Sequence, residues 1–208
     1  MKPKEFIPTR VSLLNRLKDW NDSGSWREFF EIYRKLLFNF ALKAGLSEME
    51  AEEIVQETVI SVAKTIKEFE YDPGRCSFKS WLRHLAQKRI ADRYRKRSRE
   101  PLVSSPTDLT GETRAIERVA DGNAANLDAL WEEEWQAELF AAAVASVKKQ
   151  VSAEQYQIFD FYVLKKMPVG QVAKVLGTNA GQVYLVKHRV SKLLKKEIDR
   201  LKDEMGDH

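Results

Sequence analysis

Residues 77–97 carry a dense set of cationic side chains whose spacing suits the binding of phosphate groups. The set comprises Lys79, Arg83, His84, Lys88, Arg89, Arg93, Arg95, Lys96 and Arg97, and Asp92 is the only acid in the stretch. Each phosphate that such a cation neutralises releases condensed counterions, so this composition favours a polyphosphate partner. The alternative is a solvated helix face on which Lys88, Asp92 and Lys96 form ordinary pairs four residues apart.

The apolar residues of the same stretch predict the element that positions these cations. They recur at intervals of three to five, as on one buried face of a helix: Phe78, Trp81, Leu82, Leu85, Ile90 and Tyr94. Trp81 has two interpretations, as part of this core first and as a stacking surface for an unpaired base second. The cations would then occupy the opposite face.

Two further helices are predicted before this one, after a short amphipathic segment that ends near Trp20. Ser25 and Glu28 fit a capping box, and a wide aromatic stripe continues until Gly45. Its members are Trp26, Phe29, Phe30, Tyr33, Leu37, Phe40 and Ala41. A stripe of this width must be buried against other helices.

The next helix opens with a second capping box, formed by Ser47 and Glu50. Its inner face comprises Ala51, Ile54, Val55, Thr58, Val59, Val62 and Ile66, and its outer face comprises Glu52, Glu53, Gln56 and Glu57. The helix dipole alone explains acids in the first turn. Gln56 and Glu57 lie beyond that turn and are the better candidates for contact with a partner. A turn with sequence YDPGRC leads from here to the basic helix.

The charged residues are unevenly distributed along the 208-residue chain. Lys and Arg number 35 against 31 acids, a net charge of +4 that excludes a histone-like polycation. Acids are concentrated in residues 48–57 and 132–138, and bases in residues 83–99 and 187–202. This distribution predicts separate surfaces for separate partners.

Cysteine content and hydropathy indicate a cytoplasmic protein. Cys76 is the only cysteine, which excludes an internal disulfide and suits a reducing compartment. The longest apolar run, residues 139–147, is too short to span a bilayer, and the first ten residues lack the apolar segment of a signal peptide. We expect no membrane insertion.

Residues 99–125 predict a flexible, mildly acidic linker with scattered prolines and glycines. Helical spacing returns with Asn126 as a cap, and Ser152 with Gln155 caps a further helix. No segment alternates with period two, so no sheet is expected. The sequence therefore predicts an all-α protein of two small helical domains, residues 1–98 and 126–208.

The segment PVGQVAKVLGTNAGQVYLVKHRV predicts a helix-turn-helix motif. Pro168 suits the start of the first helix, Gly177 the tight turn, and Asn179 the cap of the second helix. The second helix would enter the major groove of DNA. Its exposed residues would be Gln182, Tyr184, Leu185, Lys187 and His188, and its buried residues Val183, Val186, Val190 and Leu193.

Taken together, two segments resemble one protein family. The segment AEEIVQETVISVAKTIKEFEYDPGRCSFKSWLRHLAQKRIADRYRK resembles the second conserved region of bacterial sigma factors of the sigma-70 family, most closely the extracytoplasmic-function (ECF) group. Residues 152–194 resemble the fourth conserved region of the same group. With the linker between them, the resemblance covers nearly the whole chain.

The resemblance implies a transcription initiation factor that binds core RNA polymerase, recognises promoter DNA and assists its melting. Glu53, Gln56 and Glu57 would dock on the clamp helices of the β′ subunit, and the second domain would contact the β flap. The −10 region would meet Tyr71, Arg75, Ser77, Lys79, Trp81, Arg83, Lys88, Arg89 and Arg93. The −35 region would meet Asn179, Gln182, Tyr184, Leu185, Lys187, His188 and Arg189. The linker would thread toward the RNA exit path, and a regulatory anti-sigma factor is expected.

The chain departs from the family at the second helix of the motif, where many members carry basic and polar residues in place of Tyr184, Leu185 and Val186.

Two other functions are alternatives to a transcription initiation factor. A stand-alone helix-turn-helix regulator would need a dimer interface, and no heptad seam is evident. A metal-dependent DNA-processing enzyme would need convergent ligands, but adjacent glutamates such as Glu132 and Glu133 diverge around a helix. We therefore expect no catalysis, no metal and no cofactor.

Overall fold

The computed structural model of the chain describes residues 11–70, 77–97 and 124–205. Within these ranges every regular element is helical, which confirms the all-α prediction for the described residues. The elements are α1 (Val11–Leu17), α2 (Ser23–Lys43), α3 (Glu48–Thr65), α4 (Phe78–Arg97), α5 (Ala124–Lys148), α6 (Ala153–Phe159), a π-helical turn (Asp160–Leu164), α7 (Val169–Val175) and α8 (Ala180–Met205). Tyr71, Arg75, Cys76 and most of the predicted linker lie outside the described residues.

An apolar core joins helices α1 to α4. Helix α2 packs against α1 and α3, and α3 packs against α4. The stripes predicted on α2 and α4 meet in this core, where the rings of Phe29, Tyr33 and Phe78 lie with centroids 4.9–6.2 Å apart. Full burial of one such side chain contributes about 1.5–3 kcal/mol, so this cluster is a main source of the stability of the four helices.

Helix α2 begins before the predicted capping box at Ser25 and Glu28. Asp22 is the N-cap, and its carboxylate accepts a hydrogen bond of 2.9 Å from the backbone N–H of Ser25. Ser25 is buried in the first turn, where its hydroxyl donates to the backbone oxygen of Asp22. The prediction of Ser25 as the cap is wrong, because the Asp22 carboxylate, three residues earlier, caps the backbone N–H of Ser25 and also interacts favourably with the positive end of the helix dipole. Phe30 is 37% exposed, so the buried stripe is narrower than predicted.

Two other predictions of helix ends are confirmed. Ser47 with Glu50 and Ser152 with Gln155 form reciprocal capping boxes at the starts of α3 and α6. Gly45 follows α2 with a φ of 93°, a conformation that favours glycine over residues with a side chain. These boundaries follow from local hydrogen bonding, which sequence patterns describe well.

Helix α5 is one continuous helix of 25 residues that packs against both α2 and α8. Trp131 and Trp135 are buried, and the ring centroids of Trp131 and Phe40 lie 5.1 Å apart. The predicted cap Asn126 lies inside this helix, so that prediction is wrong. The helix starts at Ala124 because alanine, the best helix former, continues it beyond the asparagine. The boundaries of the two domains stay a prediction.

Helices α7 and α8 form the predicted helix-turn-helix motif. Pro168 immediately precedes α7. Gly177 lies in the turn with a φ of 62°, and Asn179 caps α8 by accepting a hydrogen bond of 2.9 Å from the backbone N–H of Gln182. The buried residues that hold the two helices together are Val172, Val183, Val186 and Val190.

Candidate nucleic-acid interface

The outer face of α3 carries the residues predicted to bind polymerase. Glu53, Gln56 and Glu57 are all exposed. The carboxylate of Glu53 lies 3.4 Å from Nη1 of Arg93 on α4, so the predicted protein-binding face and the predicted DNA-binding helix are contiguous. Gln56 and Glu57, one turn further along α3, form the open end of this face.

Arg93 also links the C-terminal part of α4 to the start of α3. Its Nε lies 3.1 Å from the carboxylate of Glu50. Burial by itself would raise the pKa of Glu50, but hydrogen bonds from Ser47 and the interaction with Arg93 outweigh it and hold this pKa below its usual range. Glu50 is therefore ionised at neutral pH, and the Arg93 guanidinium is committed to two carboxylates of α3.

Arg89 is another predicted DNA contact that the fold engages. Its Nε donates a hydrogen bond of 3.0 Å to the hydroxyl of Ser61, and its Nη1 lies 3.4 Å from Asp92. Asp92 also pairs with Arg95. The alternative of pairs from Asp92 to lysines four residues away is thus replaced by pairs to arginines three residues away. Lys88 is exposed on the same helix.

The first turns of α4 face carboxylates of helix α5. Nζ of Lys79 lies 2.8 Å from Glu132, and Nε of Arg83 lies 3.5 Å from Asp128. Gln87 donates a hydrogen bond of 2.7 Å to the same Asp128 carboxylate. Burial by itself would raise the pKa of Glu132, but the interactions with Lys79, Gln136 and Arg83 hold it below its usual range. Asp128 and Glu132 thus lie beside cations of α4 that are predicted to contact phosphates.

The remaining acids of α5 pair with helix α2. Nζ of Lys43 lies 2.7 Å from Glu133 and 2.6 Å from Glu134, and hydrogen bonds to Glu133 and Glu134 raise its pKa. Nζ of Lys35 lies 2.6 Å from Glu138. The interpretation of the acids in residues 132–138 as a separate surface for a separate partner is therefore wrong. They are matched within the chain to cations of α2 and α4.

The start of α4 combines a capping serine with a half-buried tryptophan. Ser77 accepts a hydrogen bond of 3.2 Å from the backbone N–H of Ser80. The Trp81 ring lies with its centroid 4.5 Å from that of Phe69 and 5.5 Å from that of Phe78. Trp81 is thus an edge of the core, as its spacing predicts, and its remaining surface faces out beside Ser77.

The second candidate site is the outward face of α8, which is open. Asn179, Gln182, Tyr184, Leu185, Lys187, His188 and Arg189 are all exposed. Within the described part of the chain, no carboxylate lies within ion-pair distance of Lys187, His188 or Arg189. All seven predicted residues are thus exposed on the helix-turn-helix motif, where they form a largely polar and cationic surface suited to a DNA groove.

Sequence reasoning missed the contacts of Asp128 and Glu132, which cover the first turns of α4. One signal for them was present in the sequence. Trp131 and Trp135 lie one turn apart and directly beside these acids, so burial of the two rings has to bring the acids near the same surface. The identity of that surface could not be read from the pattern.

Neither a metal site nor a membrane-spanning helix is found in the described residues. No group of three or more His, Cys, Asp or Glu side chains in them could hold a metal ion. No helix among them is both long and apolar enough to cross a membrane.

Comparison with known proteins finds similarity to one family in the first half of the chain. Residues 29–100, from α2 to the end of α4, match the family Sigma-70 region 2. The chain is 30% identical over 99 residues to the ECF RNA polymerase sigma factor RpoE of Cereibacter sphaeroides, covering 48% of this chain and 51% of that protein. It is 24% identical over 180 residues to the ECF RNA polymerase sigma factor SigX of Bacillus subtilis, covering 86% of each.

The match to the Cereibacter protein thus spans about half of that relative's length. Among solved structures, CnrH in complex with the cytosolic domain of CnrY has a TM-score of 0.35 and 17% identity, covering 91% of this chain and 96% of that one. The structure thus combines a helical region similar to sigma-70 region 2 with a helix-turn-helix motif. The curated relatives that the chain resembles are ECF RNA polymerase sigma factors.

Proposed function

We propose that this protein is a transcription initiation factor that binds core RNA polymerase, directs it to specific promoters and assists DNA melting. One observation carries the proposal: the region 2 match spans α2 to α4, and the same chain ends in a helix-turn-helix motif with an open outward face. A factor of this kind supplies recognition, and the polymerase supplies the chemistry, so no catalytic residue is needed. Its place of action is the cytoplasm.

The first contact is between α3 and the clamp helices of the β′ subunit. Gln56 and Glu57 are exposed, whereas Glu53 is shared with Arg93. A partner that binds this face through Gln56 and Glu57 leaves the Glu53 to Arg93 pair intact. Polymerase docking is therefore compatible with the packing of α3 on α4.

The second contact is between α4, with the residues just before it, and the melted −10 region. Tyr71 and Arg75 belong to this set and stay predictions. Lys88 is an exposed cation of α4, and its long side chain can follow a single-stranded backbone. Lys79 and Arg83 face carboxylates of α5, so contact with phosphate there exchanges one anion for another.

The third contact is between α8 and the −35 region, where the helix enters the major groove. Asn179 fixes the start of α8, and Lys187 and Arg189 lie where they can reach phosphates or base edges. The second domain also meets the β flap, and an anti-sigma factor holds the protein inactive. These two partners are expected from the similarity to ECF sigma factors.

Transcription by purified core RNA polymerase of the source organism tests the proposal. The template is fragmented genomic DNA of that organism, and the readout is the set of transcript starts that require the added protein. We expect a small set of defined starts. Stable, site-specific DNA binding in the absence of polymerase, with no new starts in its presence, would instead support the stand-alone regulator.

The docking surface is tested by the double variant Gln56→Ala with Glu57→Lys. Retention on immobilised core polymerase should fall at least about tenfold, as expected when an interface centre is lost. Glu68→Lys, an exposed charge reversal just beyond α3, is the matched control. Equal retention of the two variants, with unchanged melting temperatures, would contradict the docking assignment.

The melting role is tested by Lys88→Ala, because this residue is exposed and its loss does not disturb the packing of α4. Permanganate reactivity of thymines near the start site should fall, whereas recruitment of polymerase should not. Lys64→Ala on α3 is the control. Reactivity equal to that of the control would show that this side chain does not follow the opened strand.

A further inference from the structure

The outward face of α8 contains two large apolar or aromatic side chains among polar ones. Tyr184 and Leu185 are 51% and 52% exposed. They lie in the first two turns of α8, the part of a recognition helix that reaches the base edges. Exposed apolar area on such a face gives no affinity for phosphate, so its contribution must come from another part of the DNA.

The two side chains differ in what surrounds them. The ring of Tyr184 lies edge-on to that of Tyr162, with centroids 5.8 Å apart. Tyr162 belongs to the π-helical turn, which precedes the helix-turn-helix motif. Tyr184 is thus braced sideways against the protein and carries a hydroxyl, so Leu185 is the purely apolar member of this exposed pair.

Leu185 is flanked on its own face by groups that can form hydrogen bonds to bases. Gln182 is three residues before it and His188 three residues after it, and both are exposed. Residues three apart on a helix are neighbours on its surface, so the three side chains form one row. Gln182 is positioned for direct contact because Asn179 fixes its backbone N–H at the start of α8.

The major groove offers one apolar group for such a row, which is the C5-methyl of thymine. Cytosine and both purines present only hydrogen-bonding atoms and ring edges there. A branched aliphatic side chain gains from burying that methyl and loses if it desolvates an amino or carbonyl group instead. The chemistry of Leu185 therefore selects thymine over the other three bases.

We propose that Leu185 is a specificity-determining residue that reads the 5-methyl group of a thymine in the upstream promoter element. The proposal rests on the proposed function, in which α8 enters the major groove. It goes beyond that function by assigning one base to one side chain. The same row places this thymine next to the base pair that Gln182 contacts.

The test uses the full chain bound to core polymerase and a pool of duplexes with a fully randomised block upstream of a fixed start region. Retained duplexes are sequenced, and the best one is resynthesised with deoxyuridine in place of each upstream thymine in turn. Deoxyuridine lacks only the methyl group. At one position we expect the affinity to fall about fourfold, the factor that corresponds to one buried methyl-sized group.

The variant Leu185→Ala should bind the thymine and deoxyuridine duplexes equally, because it lacks the side chain that contacts the methyl. Val175→Ala is the matched control, since Val175 is 58% exposed on α7 and lies outside α8. It should keep the fourfold preference. Both variants remove exposed apolar atoms, so the fold is expected to survive, and far-ultraviolet circular dichroism with thermal melts checks this.

The possible results separate the inference from the function on which it rests. A methyl preference that persists in Leu185→Ala, or no preference at any upstream thymine of an enriched sequence, overturns the role of Leu185 and leaves the recognition helix in place. Retention without any enriched upstream sequence overturns both. A methyl preference that disappears only in Leu185→Ala supports the proposal.

Discussion

Helices α4 and α8 are both rich in cations, but they use them differently. Cations of α4 meet carboxylates of α3 and α5, as in the contacts of Arg93 with Glu50 and of Lys79 with Glu132. On α8, Lys187 and Arg189 are exposed and have no carboxylate within ion-pair distance in the described part of the chain, whereas Arg200 pairs with Glu197. Local charge density in a sequence therefore does not measure the charge that a surface offers to a ligand. Several cations of α4 help to hold the helices together, and Lys187 and Arg189 of α8 are available for binding.

The largest loss of stability is expected where α5 packs on α2. Trp131→Ala removes a fully buried indole that packs on Phe40, and the free energy of unfolding should fall by about 3–5 kcal/mol. Phe140→Ala, at a site 41% exposed on the same helix, is the control and should cost far less. Chemical denaturation followed by circular dichroism measures both. Similar costs would show that α5 is not anchored through Trp131.

Acid should weaken the carboxylate contacts of α4. The pKa values of Glu50 and Glu132 lie below their usual range, so the folded state binds fewer protons than the unfolded state. Their contribution to stability is present above the unfolded pKa of about 4.3 and is lost as pH falls through the folded pKa. The melting temperature should therefore fall over the acidic interval below that unfolded pKa.

The variant Glu50→Gln sharpens this pH experiment, because it removes one of the carboxylates whose pKa is lowered in the folded chain. Its melting temperature should depend less on pH over the same interval than that of the unmodified chain. Glu154→Gln, at an exposed position of α6, is the control and should keep the full dependence. An undiminished acid response in Glu50→Gln would mean that other carboxylates carry it.

A smaller effect, on the affinity for single-stranded nucleic acid, is expected when the cations at the start of α4 lose their carboxylate partners. Asp128→Asn with Glu132→Gln removes the anions beside Arg83 and Lys79 while keeping the shapes of the side chains. The affinity for a single-stranded oligonucleotide at low salt should rise about fivefold, the equivalent of one or two exposed ion pairs. Fluorescence anisotropy measures it. An unchanged affinity would indicate that these cations do not meet the strand.

The smallest effect is expected for a single cation of α8. Lys187→Ala should reduce the slope of log affinity against log salt concentration by about one, if Lys187 contacts one phosphate. Lys195→Ala, two turns further along the same helix, is the matched control. Titration of promoter duplex at several salt concentrations with the polymerase complex gives both slopes. Equal slopes for the two variants would place Lys187 away from the DNA backbone.

Local features of the fold could be predicted from the sequence. The capping boxes at Ser47 and Ser152, the turn at Gly177 and the cap at Asn179 each depend on residues within one helical turn, and each is confirmed. The prediction of the cap at Ser25 failed for a related reason. Asp22 and Ser25 lie within one turn of each other and both residue types can cap a helix, so only the backbone geometry selects Asp22. The row of exposed residues on α8 follows directly from helical periodicity.

The pairing of α5 with α2 and α4 could not be predicted in the same way. Acids such as Glu134 look like a solvated face in the sequence, since periodicity shows which residues share a side and not what lies opposite. Burial of Glu134 becomes favourable only because Lys43 is brought within 2.6 Å by the packing of two helices that are distant in the chain. Information of this kind belongs to the tertiary structure.

The continuity of α5 has a mechanical consequence. The helix is 25 residues long, about 37 Å, and contains no proline or glycine at which it would bend easily. It therefore behaves as a stiff rod that packs on both α2 and α8. A change in the separation of α4 and α8 would therefore require withdrawal of Trp131 and Trp135 from their buried positions, separation of α5 from α8, or bending of α5 itself.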